Sequence, residues 1–242
     1  MSNYHHIKKI IDDHSIFNEP TNKIEIEKLD NGRTNQSFLL RCDFKKYVLR
    51  LNTEKTISYN IDRSLELKIL NIIKNNSIGP KVIYCDDSYN FLVTEFIEGE
   101  QLSLKTISVA DKKNLYDLID RYQNIKLNMP KFNYLNHFKK YENFISKNMK
   151  IDSKLSMKLK FFYPRLEDFQ NQNWKPVLCH HDLSSSNIIK TNTGLRIIDW
   201  EYSGFGHFNF DKEYLSLDKT ADIFFSDFFE ILEELWCLIN KS

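Results

Sequence analysis

The chain has 242 residues, a formal net charge of +1, 41% hydrophobic and 28% charged residues, and only 6 Gly and 5 Pro. That length buries a core as one domain or two lobes, and the composition excludes a long disordered linker. Near-neutral charge argues against a nucleic-acid footprint or attraction to an acidic membrane. In chain order, MSNYHHIKKIIDDHS predicts a short helix without the apolar stretch of a signal peptide, and His5-His6 reads as solvated surface. Ile24 and Ile26 alternate with charges, and strands are expected there and over Ser37 to Arg41 and Lys46 to Arg50, separated by Asp30-Asn31-Gly32 and Asp43-Phe44-Lys45. Helical spacing from Ile57 to Asn75 stops ahead of Gly79-Pro80, and two further strands follow over Lys81 to Tyr84 and Phe91 to Phe96. Helices are then expected over Val109 to Leu127, Tyr134 to Met149 and Leu155 to Phe169, with Pro130 at a boundary and Pro164 breaking or kinking the last. Short apolar runs at Val177 to Cys179, Ile188-Ile189 and Leu195 to Ile198 read as strands, and Lys212 to Leu217 and Ala221 to Ile239 as helices. The last is interrupted by Asp227, Glu230, Glu233 and Glu234, so it is no membrane span. Cys42, Cys85, Cys179 and Cys237 lack metal or CxxC spacing and read as free thiols in a reducing compartment, with the cytoplasm as the expected location.

The expected class is α+β: a small antiparallel-sheet lobe over residues 1–96, a larger helical lobe over 97–242, and a hinge at Glu95 to Gly99. The most informative segment is LCHHDLSSSNIIKTNTGLRIIDWE, residues 178–201. Its order, His-x-Asp-x4-Asn and then an Asp ending an apolar strand, is similar to the catalytic segment of the protein-kinase superfamily. Asp182, in a polar loop after a buried strand, is the candidate to orient and deprotonate a hydroxyl; His180 is grouped with it and reads as a brace for the loop. Asn187 and Asp199, on a hairpin turning at Thr191-Asn192-Thr193-Gly194, offer the hard oxygens that magnesium requires. The competing readings are a turn-forming Asn and a strand-end cap. Arg50 ends a strand and Glu66 lies on the next helix, so the two are expected to pair against ATP phosphates; two unrelated surface charges are the alternative. The loop from Asp30 to Asn35 is expected to lie over the phosphates through its N–H groups, and Glu95 to Ile97 to offer backbone groups to adenine.

The chain resembles the choline kinase, thiamine kinase and aminoglycoside phosphotransferase family, a small-molecule branch of the protein-kinase-like fold. NGRTNQSFLL (31–40), YVLRL (47–51), Arg63-x-x-Glu66, FLVTEFIEGE (91–100), LCHHDLSSSN and IIDWEYSG carry the resemblance. It implies two lobes, ATP and Mg2+, Arg50 at the phosphate-binding position with Glu66 as its helix partner, Asp182 as base, and Asn187 and Asp199 as metal ligands. It also implies that Asp211 is an internal brace. DWE at 199–201 stands where protein kinases carry DFG, and no Ala-Pro-Glu follows, which disfavours a protein substrate. The wording around it is closer to choline and thiamine kinases than to antibiotic kinases. A cationic acceptor would want aromatic faces and a carboxylate. Of Tyr134, Phe138, Tyr141, Trp200, Tyr202, Phe224, Phe228 and Trp236, helical spacing makes most of them core, and Trp200 and Tyr202 are the better acceptor candidates. Glu201 reads equally as an acceptor-side acid or a structural ion pair. Ending at Ser242, where such relatives often continue, the chain is expected to have a smaller or more open acceptor pocket. The expected activity is ATP-dependent phosphorylation of a small cationic alcohol, choline or thiamine foremost. An aminoglycoside phosphotransferase and a catalytically silent nucleotide-binding module are the alternatives, with no nucleic-acid or membrane partner and the oligomeric state open.

Overall fold

Helix α1 (Asn3–Asp13) places Ile7 and Ile11, one turn apart, against a sheet face built from Phe38, Leu40, Leu49, Phe91 and Val93. The computed structural model describes residues 3–29, 35–53, 59–126, 128–215, 217 and 222–240. The sheet has five antiparallel strands: β1 (Glu25–Leu29), β2 (Gln36–Cys42), β3 (Lys45–Leu51), β4 (Val82–Cys85) and β5 (Phe91–Glu95), in spatial order β1-β2-β3-β5-β4. Ser37 and Leu92 flank Arg50 on either side of β3, a register that points the arginine off the sheet at one fixed height.

Helix α2 (Arg63–Ile73) connects β3 to β4. Of the helical span expected from Ile57, residues 57 and 58 lie outside the described residues, and this helix starts at Arg63. Asn60 adopts a left-handed φ of +55°, and Asp62 caps the helix by accepting a hydrogen bond from Leu65 N at 3.0 Å. Its buried face carries Ile69, Leu70 and Ile73, and Glu66 lies in its first turn.

After β5 the chain forms β6 (Glu100–Gln101), then α3 (Val109–Gln123), α4 (Tyr134–Asn148) and α5 (Ser153–Asn171). Helix α5 continues through Pro164, so the expected break is absent there. Leu155, Leu159, Phe162, Leu166 and Phe169 pack on both sides of the proline and outweigh the hydrogen bond that Lys160 C=O loses. Next come β7 (Val177–Cys179), a polar loop, the hairpin of β8 (Ile188–Thr191) and β9 (Gly194–Ile197), β10 (Gly204–Gly206), α6 (Phe210–Leu215) and α7 (Ile223–Ile239). β6 adds to the β8–β9 hairpin, and β7 pairs with β10.

A second buried cluster joins the two lobes. It packs Ile69, Leu70 and Ile73 of α2 with Leu115, Leu118, Ile119 and Tyr122 of α3 and with Leu178, Ile188, Ile197 and Trp200 around the polar loop. A third, aromatic-rich cluster holds α4, α5 and α7 together through Phe138, Phe162, Phe169, Phe225 and Phe228. No helix among the described residues is long and apolar enough to cross a membrane.

Candidate active site

The loop after β7 is pinned from beneath by one carboxylate. Asp211 of α6 is fully buried; its Oδ2 accepts from His180 N (2.8 Å) and Tyr122 Oη (2.6 Å), and its Oδ1 accepts from His181 N (3.0 Å). Burial raises its pKa, and these donors together with His180 oppose the rise. The bonds also hold His181 at φ +65°, a left-handed conformation that costs an L residue on the order of 1 kcal/mol. Two neutral imidazoles then fix the loop. His180 Nδ1 accepts from Asp182 N (3.2 Å), so its proton is on Nε2, which donates to Ile198 O (2.9 Å). His181 Nδ1 donates to Tyr202 O (3.1 Å) and its Nε2 accepts from Tyr134 Oη (3.0 Å). Burial pushes the His181 pKa down to about 3 and lowers that of His180 as well. His180 therefore ties the loop backbone at Asp182 to Ile198.

The half-buried Asp182 carboxylate accepts from Tyr214 Oη on Oδ1 (3.1 Å) and from Asn187 Nδ2 on Oδ2 (3.1 Å). Burial raises its pKa most and Glu201 adds to this; the two hydrogen bonds oppose them, and the net result is about 6. Asn187 closes a 3-10 turn, Ser185–Asn187, and gives its Nδ2 a second time to Asp182 O (2.9 Å), which leaves Oδ1 without a partner among the described residues.

Asp199 follows β9 at φ +61°, a conformation that Asp tolerates better than most residues and that often marks a functional site. Its side chain is 41% exposed, and one oxygen lies 3.4 Å from Arg50 Nη1. Lost hydration and the nearby Glu201 hold its pKa well above the usual carboxylate range, against the pull of Arg50.

Arg50 donates through Nη2 to Glu66 (2.7 Å) and through Nε to Asn52 (2.9 Å). Burial opposes its charge, but Glu66, Glu201 and Asp199 outweigh burial and raise its pKa. Glu66 is held below its ordinary pKa because Arg50 and Arg63 overcome its burial. The paired reading of Arg50 and Glu66 therefore replaces the unrelated-charges alternative.

Arg63 is the residue that the spacing did not single out for a role. Its Nη1 reaches both Glu66 (3.0 Å) and Glu201 (2.7 Å), and its Nη2 donates to Asn35 Oδ1 (2.9 Å). The available signal was its place three residues before Glu66 at the first position of α2.

Asn35 also donates Nδ2 to Glu201 (2.7 Å) and accepts from Thr53 N (3.1 Å), so its side chain is committed to this network. The rest of the expected phosphate loop, residues 30–34, lies outside the described residues. Glu201 is buried and ion-paired, which fits the structural alternative stated for it.

Trp200 requires a correction. It is fully buried, donates Nε1 to Ile197 O (2.9 Å) and packs edge-on to Tyr122 and His180, so it cannot face an acceptor. The left-handed turn at Asp199 sends the next side chain inward. Tyr202 is only partly buried, but its hydroxyl is enclosed beside Tyr141 and Trp236. Glu95 pairs with Arg196 (2.8 Å) at the end of β5, and the N–H of Ile97 has no hydrogen-bond partner among the described residues.

Three carboxylates, Glu66, Asp199 and Glu201, therefore surround Arg50, and Glu66 and Glu201 also pair with Arg63. No group of three His, Cys, Asp or Glu among the described residues forms a protein-only metal cage. Asn187 Oδ1 and the half-buried Asp199 carboxylate still suit magnesium, which takes one or two protein oxygens and completes its octahedron with phosphates and water.

The sequence model for choline/ethanolamine kinase matches residues 26–214. The chain belongs to this family. Among curated proteins, the LicA homolog of Mycoplasma capricolum is 24% identical to this family member over 218 residues, covering 88% of this chain and 83% of the relative. The crystal structure of choline kinase LicA from Streptococcus pneumoniae superposes with a TM-score of 0.75 at 22% identity, covering 98% of this chain and 91% of that one. An ethanolamine kinase from Plasmodium vivax gives a TM-score of 0.72 at 26% identity, covering 98% and 76%. These likenesses agree with the two-lobed α+β architecture of the family member described here.

Proposed function

We propose that the chain is an ATP- and magnesium-dependent kinase that phosphorylates the primary hydroxyl of choline or a close cationic amino alcohol. The observation that carries this reading is the convergence of Asp182, Asn187 and Asp199 with the Arg50–Glu66 pair. Phosphoryl transfer needs positioning and charge stabilisation more than covalent chemistry, and this set supplies both. Arg50, fixed by Glu66, presents a permanent positive charge to the phosphates. Asn187 Oδ1 and Asp199 would hold magnesium, which when bound neutralises phosphate charge. The acceptor hydroxyl oxygen forms its bond to the γ-phosphorus as the bond to the ADP oxygen breaks, and the hydroxyl proton passes to Asp182. Ile97 N–H at the lobe junction offers a donor to adenine.

For the acceptor, the half-buried Tyr202 lies within electrostatic reach of Glu201 with Trp236 beside it, while Tyr141 is fully buried behind them and donates to Tyr59 O. Aromatic faces next to carboxylates favour a quaternary ammonium, which cannot donate hydrogen bonds. The family match supports choline or ethanolamine ahead of thiamine.

The test measures ADP release with choline, ethanolamine, thiamine and kanamycin in the presence of magnesium and ATP. Choline or ethanolamine should turn over best, and Asp182→Asn should lower kcat by roughly 100-fold or more. Turnover of none of the four would defeat the substrate assignment, and full activity in Asp182→Asn would defeat the mechanism.

A further inference from the structure

Tyr214 touches the candidate base, and nothing in the pattern of motifs gives it a role. Its hydroxyl donates to Asp182 Oδ1 at 3.1 Å, while Asn187 holds the other oxygen. The ring stands edge-on to Phe229 of α7, with centroids 5.1 Å apart and planes at 85°, so the phenol is held from behind. Tyr214 also follows Asp211 by three residues on α6, which places both on one face of a single helical turn. Asp211 holds the loop backbone through His180 N and His181 N. Helix α6 therefore grips the loop at two points, its backbone and its reactive side chain.

We propose that Tyr214 is a positioning residue for phosphoryl transfer: its hydroxyl fixes the Asp182 carboxylate so that one lone pair of Oδ1 remains directed at the acceptor hydroxyl. This inference rests on the reading of Asp182 as the base. A carboxylate oxygen accepts more than one hydrogen bond, so Tyr214 and an acceptor can share Oδ1 without competing. Anchored at both oxygens, the carboxylate cannot rotate away, and such preorganisation acts on the chemical step in preference to nucleotide binding.

The test is Tyr214→Phe in the full chain, which keeps the ring and its Phe229 contact. The expected result is a fall in kcat of about tenfold, the scale of one hydrogen bond to a charged group, with KM for MgATP and the melting temperature unchanged. Wild-type kcat would overturn the proposal. So would a fall in kcat that comes with a matching loss of thermal stability and a raised KM for MgATP, because the hydroxyl would then be structural. Asp182→Asn, measured in parallel, separates the two readings. Wild-type turnover there removes the base and Tyr214's role with it, whereas an inactive Asp182→Asn beside a wild-type Tyr214→Phe overturns Tyr214 alone.

Discussion

At the scale of single residues, the electrostatics of Asp182 set a pH dependence. Its pKa is raised to about 6 in the folded chain, burial being the largest cause. A base acts only when deprotonated, so the active form is present above pH 6 and is lost as pH falls through it. In the free enzyme kcat/KM should drop about tenfold per pH unit below that point. A pH profile flat down to pH 4.5 would show that Asp182 does not carry the proton. Asp182, Asn187 and Asp199 were legible in the sequence because they lie within one short segment whose spacing encodes their separation. The roles of Arg63, quoted only within Arg63-x-x-Glu66, and of Tyr214 were not, because their contacts, to Glu201 138 residues away and to Asp182 32 residues away, exist only in the folded chain. Trp200 was misplaced for a local reason. Neighbouring an acid suggested the cleft, but the positive φ of Asp199 breaks side-chain alternation and turns the indole into the core.

At the scale of elements, most strands and helices follow from periodicity, and the departures are the shortest ones. β6 and β10 have 2 and 3 residues, too few for any alternation, and exist because β8 and β7 offer free edges. The link between lobes uses such an edge, and Gly99 is the residue that permits it. A Cβ there would lie 2.3 Å from Lys190 O and 2.9 Å from Lys190 C, backbone atoms of β8 that cannot swing aside. Gly99→Ala should therefore push β6 off β8 at a cost of about 1–3 kcal/mol. In a chain of this length that lowers the melting temperature by roughly 2–4 °C per kcal/mol. Calorimetry reads the shift, and an unchanged melting temperature would mean that the lobe junction relaxes freely.

At the scale of the whole molecule, the charge network is also what joins the lobes. Arg63 opens α2 beside the sheet lobe, Asn35 directly precedes β2, and both meet the buried carboxylate of Glu201, which follows β9 in the helical lobe. The Arg63 and Glu201 side chains are only 6% and 3% exposed, so each relies on the other for compensation. Removing one partner of such a pair leaves an uncompensated charge and costs about 3–5 kcal/mol, whereas removing both together costs less. Arg63→Met should lower the melting temperature by roughly 10 °C on that basis. It should also lower kcat, because Glu66 would lose the second cation that fixes it beside Arg50. Adding Glu201→Gln to Arg63→Met should restore part of the lost stability, since the glutamine removes the stranded charge and can still accept from Asn35 Nδ2. A double variant whose melting temperature falls by the sum of the two single losses would show that the pair is not coupled.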